Sequence, residues 1–338
     1  MSELLRIPDE LAAVHERVAE GLVRVIERFD RHLRTDVAPV AELVRHVERY
    51  RGKMLRPMLC LLSGMATSRQ TPPELTENHV TLAAVCEMVH MATLVHDDVL
   101  DEAEVRRGGR TINSLKGNEA AVMLGDYLIA AAYHLCAQVQ DQWYSLEVAR
   151  VSMSVCSGEL MQLANRGNLE LDLATYFGIL DRKTAVLIGA ACELGARASG
   201  ATPEVAVALR DYGREVGIAF QIQDDLLDLL GREDDVGKSV GRDMELGKPT
   251  LPLISHLLES PRPERDRAML LAERAAGGDG ASGRELREVL VTGGAVERAR
   301  NEAFRRVEQA CKGLQGLPAS PARRYLEHLA QMAVRRGK

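Results

Sequence analysis

Apolar residues recur at helical spacing along almost the whole chain. Between residues 8 and 34, Leu11, Val14, Val18, Leu22, Val25 and Ile26 fall at i, i+3, i+4 and i+7, which predicts an amphipathic helix. Pro57 suits the first turn of a second helix, residues 58 to about 66, because its missing N–H costs nothing there. Pro72 and Pro73 mark a turn. Residues 77 to about 100 are then apolar nearly all round, the pattern of a helix buried on every side. Arg107-Gly108-Gly109-Arg110 breaks that helix. Further helices are expected over residues 119–139, 145–165, 173–199 and 203–230, and another starts at Pro249-Thr250-Leu251-Pro252. Residues 231–248 read as a glycine-rich loop and 277–283 as a flexible connector between the last helices. There is no period-2 alternation, no β-branched cluster and no repeat. The pattern therefore predicts one all-α domain, residues 1–338, with buried helices at its centre.

Two acidic clusters interrupt the apolar pattern: Asp97-Asp98-Val99-Leu100-Asp101 and Asp224-Asp225-Leu226-Leu227-Asp228. On a helix, residues i and i+4 share a face, so Asp97 stacks with Asp101 and Asp224 with Asp228. Like charges at that spacing repel, and the repeated arrangement calls for a compensating cation. An all-oxygen donor set suits a hard ion such as Mg²⁺, which takes one or two carboxylates, waters and substrate phosphate oxygens. A solvated acidic face would explain one such cluster; two identical ones, each with basic residues nearby, favour the metal. His90 lies seven residues before Asp97, two turns along the same face. Arg106 and Arg107 extend past the helix end, where guanidinium groups can clamp phosphate bidentately. Gly52-Lys53-Met54-Leu55-Arg56-Pro57 places Lys53 and Arg56 three apart at a helix start, an anion-binding arrangement.

Composition narrows the partners. A net charge of −6 removes any global basic bias toward nucleic acid, and 4% aromatic content leaves few stacking platforms for bases. The cysteines at 60, 86, 136, 156, 192 and 311 lack C-x-x-C spacing and, Cys311 apart, sit in apolar runs. They read as reduced core residues of a cytoplasmic protein. Met1-Ser2-Glu3-Leu4-Leu5-Arg6 has no basic region ahead of an apolar core, so no signal peptide is expected. No uninterrupted apolar run approaches about 18 residues, so no transmembrane helix is expected.

Taken in order, the motifs resemble those of the trans-isoprenyl diphosphate (polyprenyl) synthases, from about residue 45 to the C-terminus. They are the G-K-x-x-R-P run at Gly52–Pro57, L-x-H-D-D-x-x-D at Leu94–Asp101 followed by Arg106-Arg107-Gly108, and Gly158-Glu159-Leu160-Met161-Gln162. Lys183-Thr184 follows, then Phe220-Gln221-Ile222-Gln223 ahead of the second cluster, and Gly247-Lys248-Pro249-Thr250. Met54 departs from the family, which more often has Arg there; Lys53 and Arg56 are kept. Residues 92–101 look most like the medium- and long-chain quinone-side-chain synthases, since the first cluster lacks the two extra residues of many bacterial farnesyl synthases.

The resemblance implies a helical bundle of the isoprenoid synthase type with a central cavity, working as a homodimer with Mg²⁺. The implied reaction ionises an allylic diphosphate, the double bond of isopentenyl diphosphate attacks the cation, and a proton is lost. Asp97, Asp101 and Asp224 would hold metal, with Asp98, Asp225 and Asp228 behind them or as alternate ligands. Arg106, Lys183, Lys238 and Lys248 would bind the allylic diphosphate. Lys53, Arg56, His90 and Arg107 would bind isopentenyl diphosphate without metal. Thr184 and Gln221 would turn oxygen dipoles toward the cation.

The expected product is longer than C20, in the range C30 to C50. A helix rises about 5.4 Å per turn, close to one extended isoprene unit. Ala92 and Thr93, then Val89, then Val85 and Cys86 lie along the helix below Asp97, and none is aromatic. A floor would then come from the following helix, where Tyr127 and Tyr133 are bulky and Tyr133 is deeper. Three readings compete: a shorter-chain (C15–C25) synthase, a class I terpene cyclase and a non-catalytic synthase subunit. A cyclase would mix Ser, Thr, Asn and Glu into its second metal motif and line its cavity with aromatics; this chain repeats D-D-x-x-D and has four Phe and one Trp. A non-catalytic subunit would have lost an acidic cluster or the cations.

Overall fold

A helix that is apolar on every side has to be surrounded, and Glu77–Leu100 is. The computed structural model describes residues 7–70, 72–231 and 241–335; Lys238 and the first six residues lie outside that set. Among the described residues the helices begin with α1 (Ala12–Leu33), α2 (Ala38–Val47), α3 (Leu55–Thr67), α4 (Glu77–Leu100), α5 (Ile112–Lys116) and α6 (Asn118–Cys136). Next come α7 (Gln142–Ala164), α8 (Leu173–Leu180), α9 (Val186–Ala198), α10 (Pro203–Leu230), α11 (Arg242–Glu245) and α12 (Leu251–Glu259). The last are α13 (Arg262–Ala276), α14 (Gly280–Thr292), α15 (Ala295–Gly313) and α16 (Pro321–Val334).

The chain divides into two compact units. The first holds Met1–Met153, Leu187–Gly213 and Cys311–Leu329; the second holds Ser154–Val186, Arg214–Ala310 and Ala330–Lys338. In the first, α1, α3 and α6 pack around α4. The start of α4 is fixed by a polar chain. Thr76 caps it, His79 returns a ring nitrogen to the Thr76 N–H at 3.1 Å, and the other ring nitrogen meets Ser199 at 2.9 Å. Ser199 in turn donates to the Gly64 carbonyl at 2.8 Å. Burial lowers His79 to about 4, so the ring stays neutral at neutral pH. In the second unit, α8 packs on α12, and α13 on α14.

Several expectations change. α2, α5 and α11 were not foreseen; each is short, and α11 falls in the stretch expected to be loop. The expected connector instead starts a helix, because Asp279 accepts the Ala281 N–H at 3.0 Å and caps α14 at Gly280. A two-residue ladder is present where no strand was expected: Val105–Arg106 pairs antiparallel with Gly109–Arg110. Its tip, Arg107 and Gly108, has φ of 52° and 76°, the paired left-handed conformation of a tight hairpin turn. Cys156 is exposed, against the expectation of a core position, while Cys60, Cys86, Cys136 and Cys192 are buried and all six are free. By length and composition α4 could cross a membrane, contrary to the reading from uninterrupted runs, but 78% of its apolar stretch is buried inside the protein. It is a core helix.

α9 reaches α3 at closest approach through Gly195, where a β-carbon would overlap the Cys60 carbonyl. Gly195→Ala therefore has to push two packed helices apart. It is expected to lower the unfolding free energy by about 1–3 kcal/mol, the usual cost of overpacking. Urea denaturation followed by circular dichroism checks this, and an unchanged midpoint would contradict the packing.

Candidate active site

Helical arithmetic gives the end of α4 three functional faces. His90, Thr93, Asp97 and Asp101 share one, and all are half-exposed. Val89, Ala92 and His96 share a second. His96 fits against Gly125 of α6, while Val89 and Ala92 are 1% and 0% exposed. Glu87 and Asp98 share the third and are 3% and 1% exposed. A carboxylate so deeply buried needs partners. Arg106 donates to Asp98 Oδ1 through Nε at 2.7 Å, with Nη2 also at 2.7 Å. The Asn113 amide donates to the carbonyls of Asp98 and Ala103, both at 3.1 Å, tying the residues around the helix end together. The Tyr50 hydroxyl accepts the Ile112 N–H at 3.1 Å, and burial followed by the charge of Asp98 pushes its phenol well up.

Around Glu87 the same unit gathers cations. Met54, the residue before α3, has φ 51°, and its side chain is only 7% exposed. The departure from Arg at this position thus falls on a buried side chain, for which Met is suited. Arg56 follows in the first turn of α3. Arg107 lies flat over Gly52, where a β-carbon would sit 2.5–2.6 Å from three guanidinium atoms. Burial raises Glu87 while Arg56, Arg107 and Arg51 pull it back. Burial and then Arg56, Arg107 and Arg106 hold His90 well below its ordinary value, so it stands neutral among guanidinium groups. Burial also lowers Arg107, with Glu87 opposing. Met54, Glu102 and Arg107 are the non-glycine residues with left-handed φ among those described, and all three adjoin this constellation. Such conformations cost about 1–3 kcal/mol each and persist where surrounding structure imposes them.

The second cluster, in the other unit, has its own arrangement. Asp225 is 7% exposed and accepts from the Tyr176 hydroxyl at 3.0 Å and the Gln221 amide at 2.9 Å. The Thr184 hydroxyl donates to the Gln221 carbonyl oxygen at 3.1 Å, so Thr184, Gln221, Asp225 and Tyr176 form one chain. Burial, then the nearby Asp243, raises Asp225 well above the carboxylate range. Lys183 and Thr184 lie in a wide π-type turn, Asp181–Ala185, between α8 and α9. Gly158 makes room for it, since a β-carbon there would meet the Lys183 nitrogen at 2.5 Å. Lys183 then pairs with Glu159 and donates to Gln162 at 2.8 Å. The sequence motif Gly158–Gln162 is thereby the seat of Lys183. Asp224, Asp228 and Lys248 are half-exposed.

The structure brings Arg56, His90, Arg106, Arg107 and Asp98 together in one unit and Lys183, Thr184, Gln221 and Asp225 together in the other. Thr93 and Tyr133 are half-exposed, whereas Val89 and Ala92 face the packed interior. Sequence reasoning missed Tyr50, Glu87 and Asn113 in the first unit and Tyr176 in the second, and it quoted Gly52, Glu159 and Gln162 within motifs without giving them a role. Glu87 carried a visible signal, a carboxylate one turn before His90 in an otherwise apolar helix; Tyr50 and Tyr176 carried none. Among the described residues, no three carboxylate, imidazole or thiol side chains converge as a complete cation cage. The i, i+4 pairs, with oxygen donors only, fit a hard divalent ion that completes its shell with water and phosphate oxygens.

Residues 37–285 match the polyprenyl synthetase family. The octaprenyl diphosphate synthase of Escherichia coli K12 is 34% identical over 330 residues, covering 97% of this chain and 99% of that protein. The crystal structure of a decaprenyl diphosphate synthase from Rhodobacter capsulatus superposes with a TM-score of 0.88 at 34% identity, covering 98% of this chain and 99% of the other. A polyprenyl synthase from Caulobacter crescentus, complexed with calcium and isoprenyl diphosphate, gives a TM-score of 0.86 at 34% identity, with 97% of each chain covered. The helical architecture, the paired acidic clusters and these likenesses agree: the chain belongs to the polyprenyl synthetase family, a family of prenyltransferases.

Proposed function

We propose that this chain condenses isopentenyl diphosphate with an allylic diphosphate, with Mg²⁺ bound, to give an all-trans polyprenyl diphosphate of C30 to C50. One observation carries the reading. In both acidic clusters the middle aspartate is buried and partnered, Asp98 by Arg106 and Asp225 by Tyr176 and Gln221, while the first and last stay half-exposed. Two helices built alike, each with a buried middle aspartate between half-exposed ones, support a shared task, and both units would serve one synthase domain.

Asp97, Asp101 and Asp224 would hold the metal, which when bound neutralises and orients the departing diphosphate. Lys183 and Lys248, with Arg106 and Lys238, would supply further donors to that group; the ammonium of Lys183 is seated by Glu159 and Gln162 and would turn to the diphosphate from there. Lys53, Arg56 and Arg107 would bind isopentenyl diphosphate, and neutral His90 can donate there without adding charge. Gln221, oriented by Asp225, would hold Thr184 with its hydroxyl oxygen available to a cation. The product range is supported by the octaprenyl and decaprenyl names of the relatives and by the lack of aromatics along α4 below Asp97. Six free cysteines agree with a reducing cytoplasm.

A homodimer is part of the proposal. Leu146, Met153 and Leu160 are 61%, 73% and 66% exposed and lie seven residues apart on α7, while Val122 and Met123 on α6 are 41% and 66% exposed. A seven-residue apolar seam is what a second helix packs into.

The reaction is tested by assay with isopentenyl diphosphate, allylic primers and Mg²⁺. Asp97→Ala or Asp224→Ala should lower kcat at least ~10²–10³-fold, the scale of one lost electrostatic contact to the transition state. Arg56→Ala should instead raise KM for isopentenyl diphosphate, since a charged hydrogen bond contributes about 1.5–3 kcal/mol. Near-normal turnover of either aspartate variant, or of wild type in EDTA, would sink the assignment.

Product length gives a separate readout. Thr93→Phe places a ring on the open face one turn below Asp97 and should shorten the product by one or more isoprene units while primer is still consumed. Chromatography of the dephosphorylated products decides, and an unchanged distribution would move the determinant elsewhere.

For the dimer, Met153→Glu should convert the protein to a monomer in sedimentation velocity. A Met153→Glu protein that still sediments as a dimer would place the interface on another surface.

A further inference from the structure

Asp228 closes the second acidic cluster, and its side chain is engaged with backbone. The Gly241 N–H donates to the Asp228 carbonyl at 2.9 Å, the Arg242 N–H to Oδ1 at 3.2 Å and the Asp243 N–H to Oδ2 at 3.0 Å. Three consecutive amides thus meet three acceptors on one residue. The chain they begin continues through α11 to Lys248 by local bonds. Leu246 N–H donates to the Arg242 carbonyl at 2.9 Å, Gly247 to Met244 at 3.0 Å and Lys248 to Asp243 at 2.8 Å. Asp243 is the link: its N–H is held by Asp228 and its carbonyl holds the Lys248 amide. From the other side, the Gly167 N–H donates to the Gly247 carbonyl at 2.7 Å.

Packing does not do this job alone. Beneath the turn lies a small apolar cavity of about 50 Å³, lined by Gly167, Leu169, Lys248, Pro249, Leu253 and Leu286 among others. A segment seated over a void gains little restraint from van der Waals contact there. α11 still touches α13, so hydrogen bonds act beside packing to set its position, and those to an ionised carboxylate are the strong ones.

We propose that Asp228 is a positioning residue: its carboxylate clamps the backbone at Arg242 and Asp243 and thereby sets where Lys248 stands for the allylic diphosphate, a task separate from metal binding by Asp224 one turn earlier. The inference rests on the diphosphate role of Lys248 in the proposed function.

Asp228→Asn is the test, because the amide keeps the shape but can accept at only one of its two heavy atoms. In metal-free protein, backbone amide exchange at Arg242, Asp243 and Lys248 should accelerate while α12 keeps its protection, which also reports that the variant is folded. In turnover, KM for the allylic diphosphate should rise about 10- to 100-fold, the range of one charge-assisted hydrogen bond. The Mg²⁺ concentration for half-maximal rate should stay within about twofold of wild type, an expectation of the clamp role itself. In a Lys248→Ala background the added effect of Asp228→Asn on that KM should largely vanish.

Unchanged exchange at the three amides, a shift confined to the Mg²⁺ requirement, or an equal penalty with and without Lys248 would each overturn the proposal. In wild-type protein, Mg²⁺ alone should leave exchange at Arg242 and Asp243 unaltered; deprotection there would show the metal recruiting Asp228. If Lys248→Ala itself leaves the allylic KM unchanged, the role of Lys248 in the proposed reaction fails, while the exchange result still decides whether Asp228 is the clamp.

Discussion

The Arg106–Asp98 pair is the contact from which most of the first unit's site follows. Asp98 lies on the core side of α4 and is 1% exposed. An unpaired carboxylate there would cost several kcal/mol, so a guanidinium has to reach it from the chain just beyond the helix. The chain turns back within a two-residue hairpin to deliver Arg106. That tight return forces Arg107 into left-handed φ. Arg107 then lies over Gly52, the only residue type with no side chain to obstruct it. The open placement of Asp97 and Asp101 is the counterpart of this, since a helix that turns Asp98 inward turns its neighbours about 100° away.

The second cluster meets the same constraint with neutral partners. Asp225 has a phenol and an amide instead of a guanidinium, and burial and Asp243 raise it. The consequence is a hydrogen-bonded chain that reaches Thr184. Because Thr184 sits in the wide turn beside Lys183, and Gly158 lets α7 approach that turn, the seat of a lysine and the orientation of a glutamine are set together. One aspartate organises cations, the other organises dipoles.

How much of this could be read from the chain follows from what each feature depends on. The long helices were legible because burial imposes a 3.6-residue period; α4 and α10 have the bounds the pattern indicates. The acidic clusters were legible because like charges repeated at i, i+4 make no sense in a helix without a cation. α5 and α11 were not, being too short for a period to emerge, whereas α2 carries Val40, Leu43, Val44 and Val47 at helical spacing and could have been read. Nor was the split between open Asp97 and buried Asp98, which are chemically identical neighbours separated only by which side of α4 meets Arg106. The left-handed backbone at Met54, Glu102 and Arg107 had no sequence signal, as none is glycine or asparagine. Lys238 lies outside the described residues.

The balance of charge near Glu87 indicates why this region would favour a diphosphate. Arg56, Arg107 and Arg106 lie near two buried carboxylates, Glu87 and Asp98, the second of which is paired with Arg106, and near His90, which burial and the same cations hold low. Arg107, partly shielded although exposed, is itself lowered by burial and by Arg106, with Glu87 opposing, as mutual repulsion between neighbouring guanidinium groups requires. An anion would relieve it, whereas a neutral ligand would leave the excess uncompensated. Glu87 and His90 then act in complementary ways: the carboxylate offsets part of the arginine charge, and the imidazole, held low by burial and those arginines, adds none.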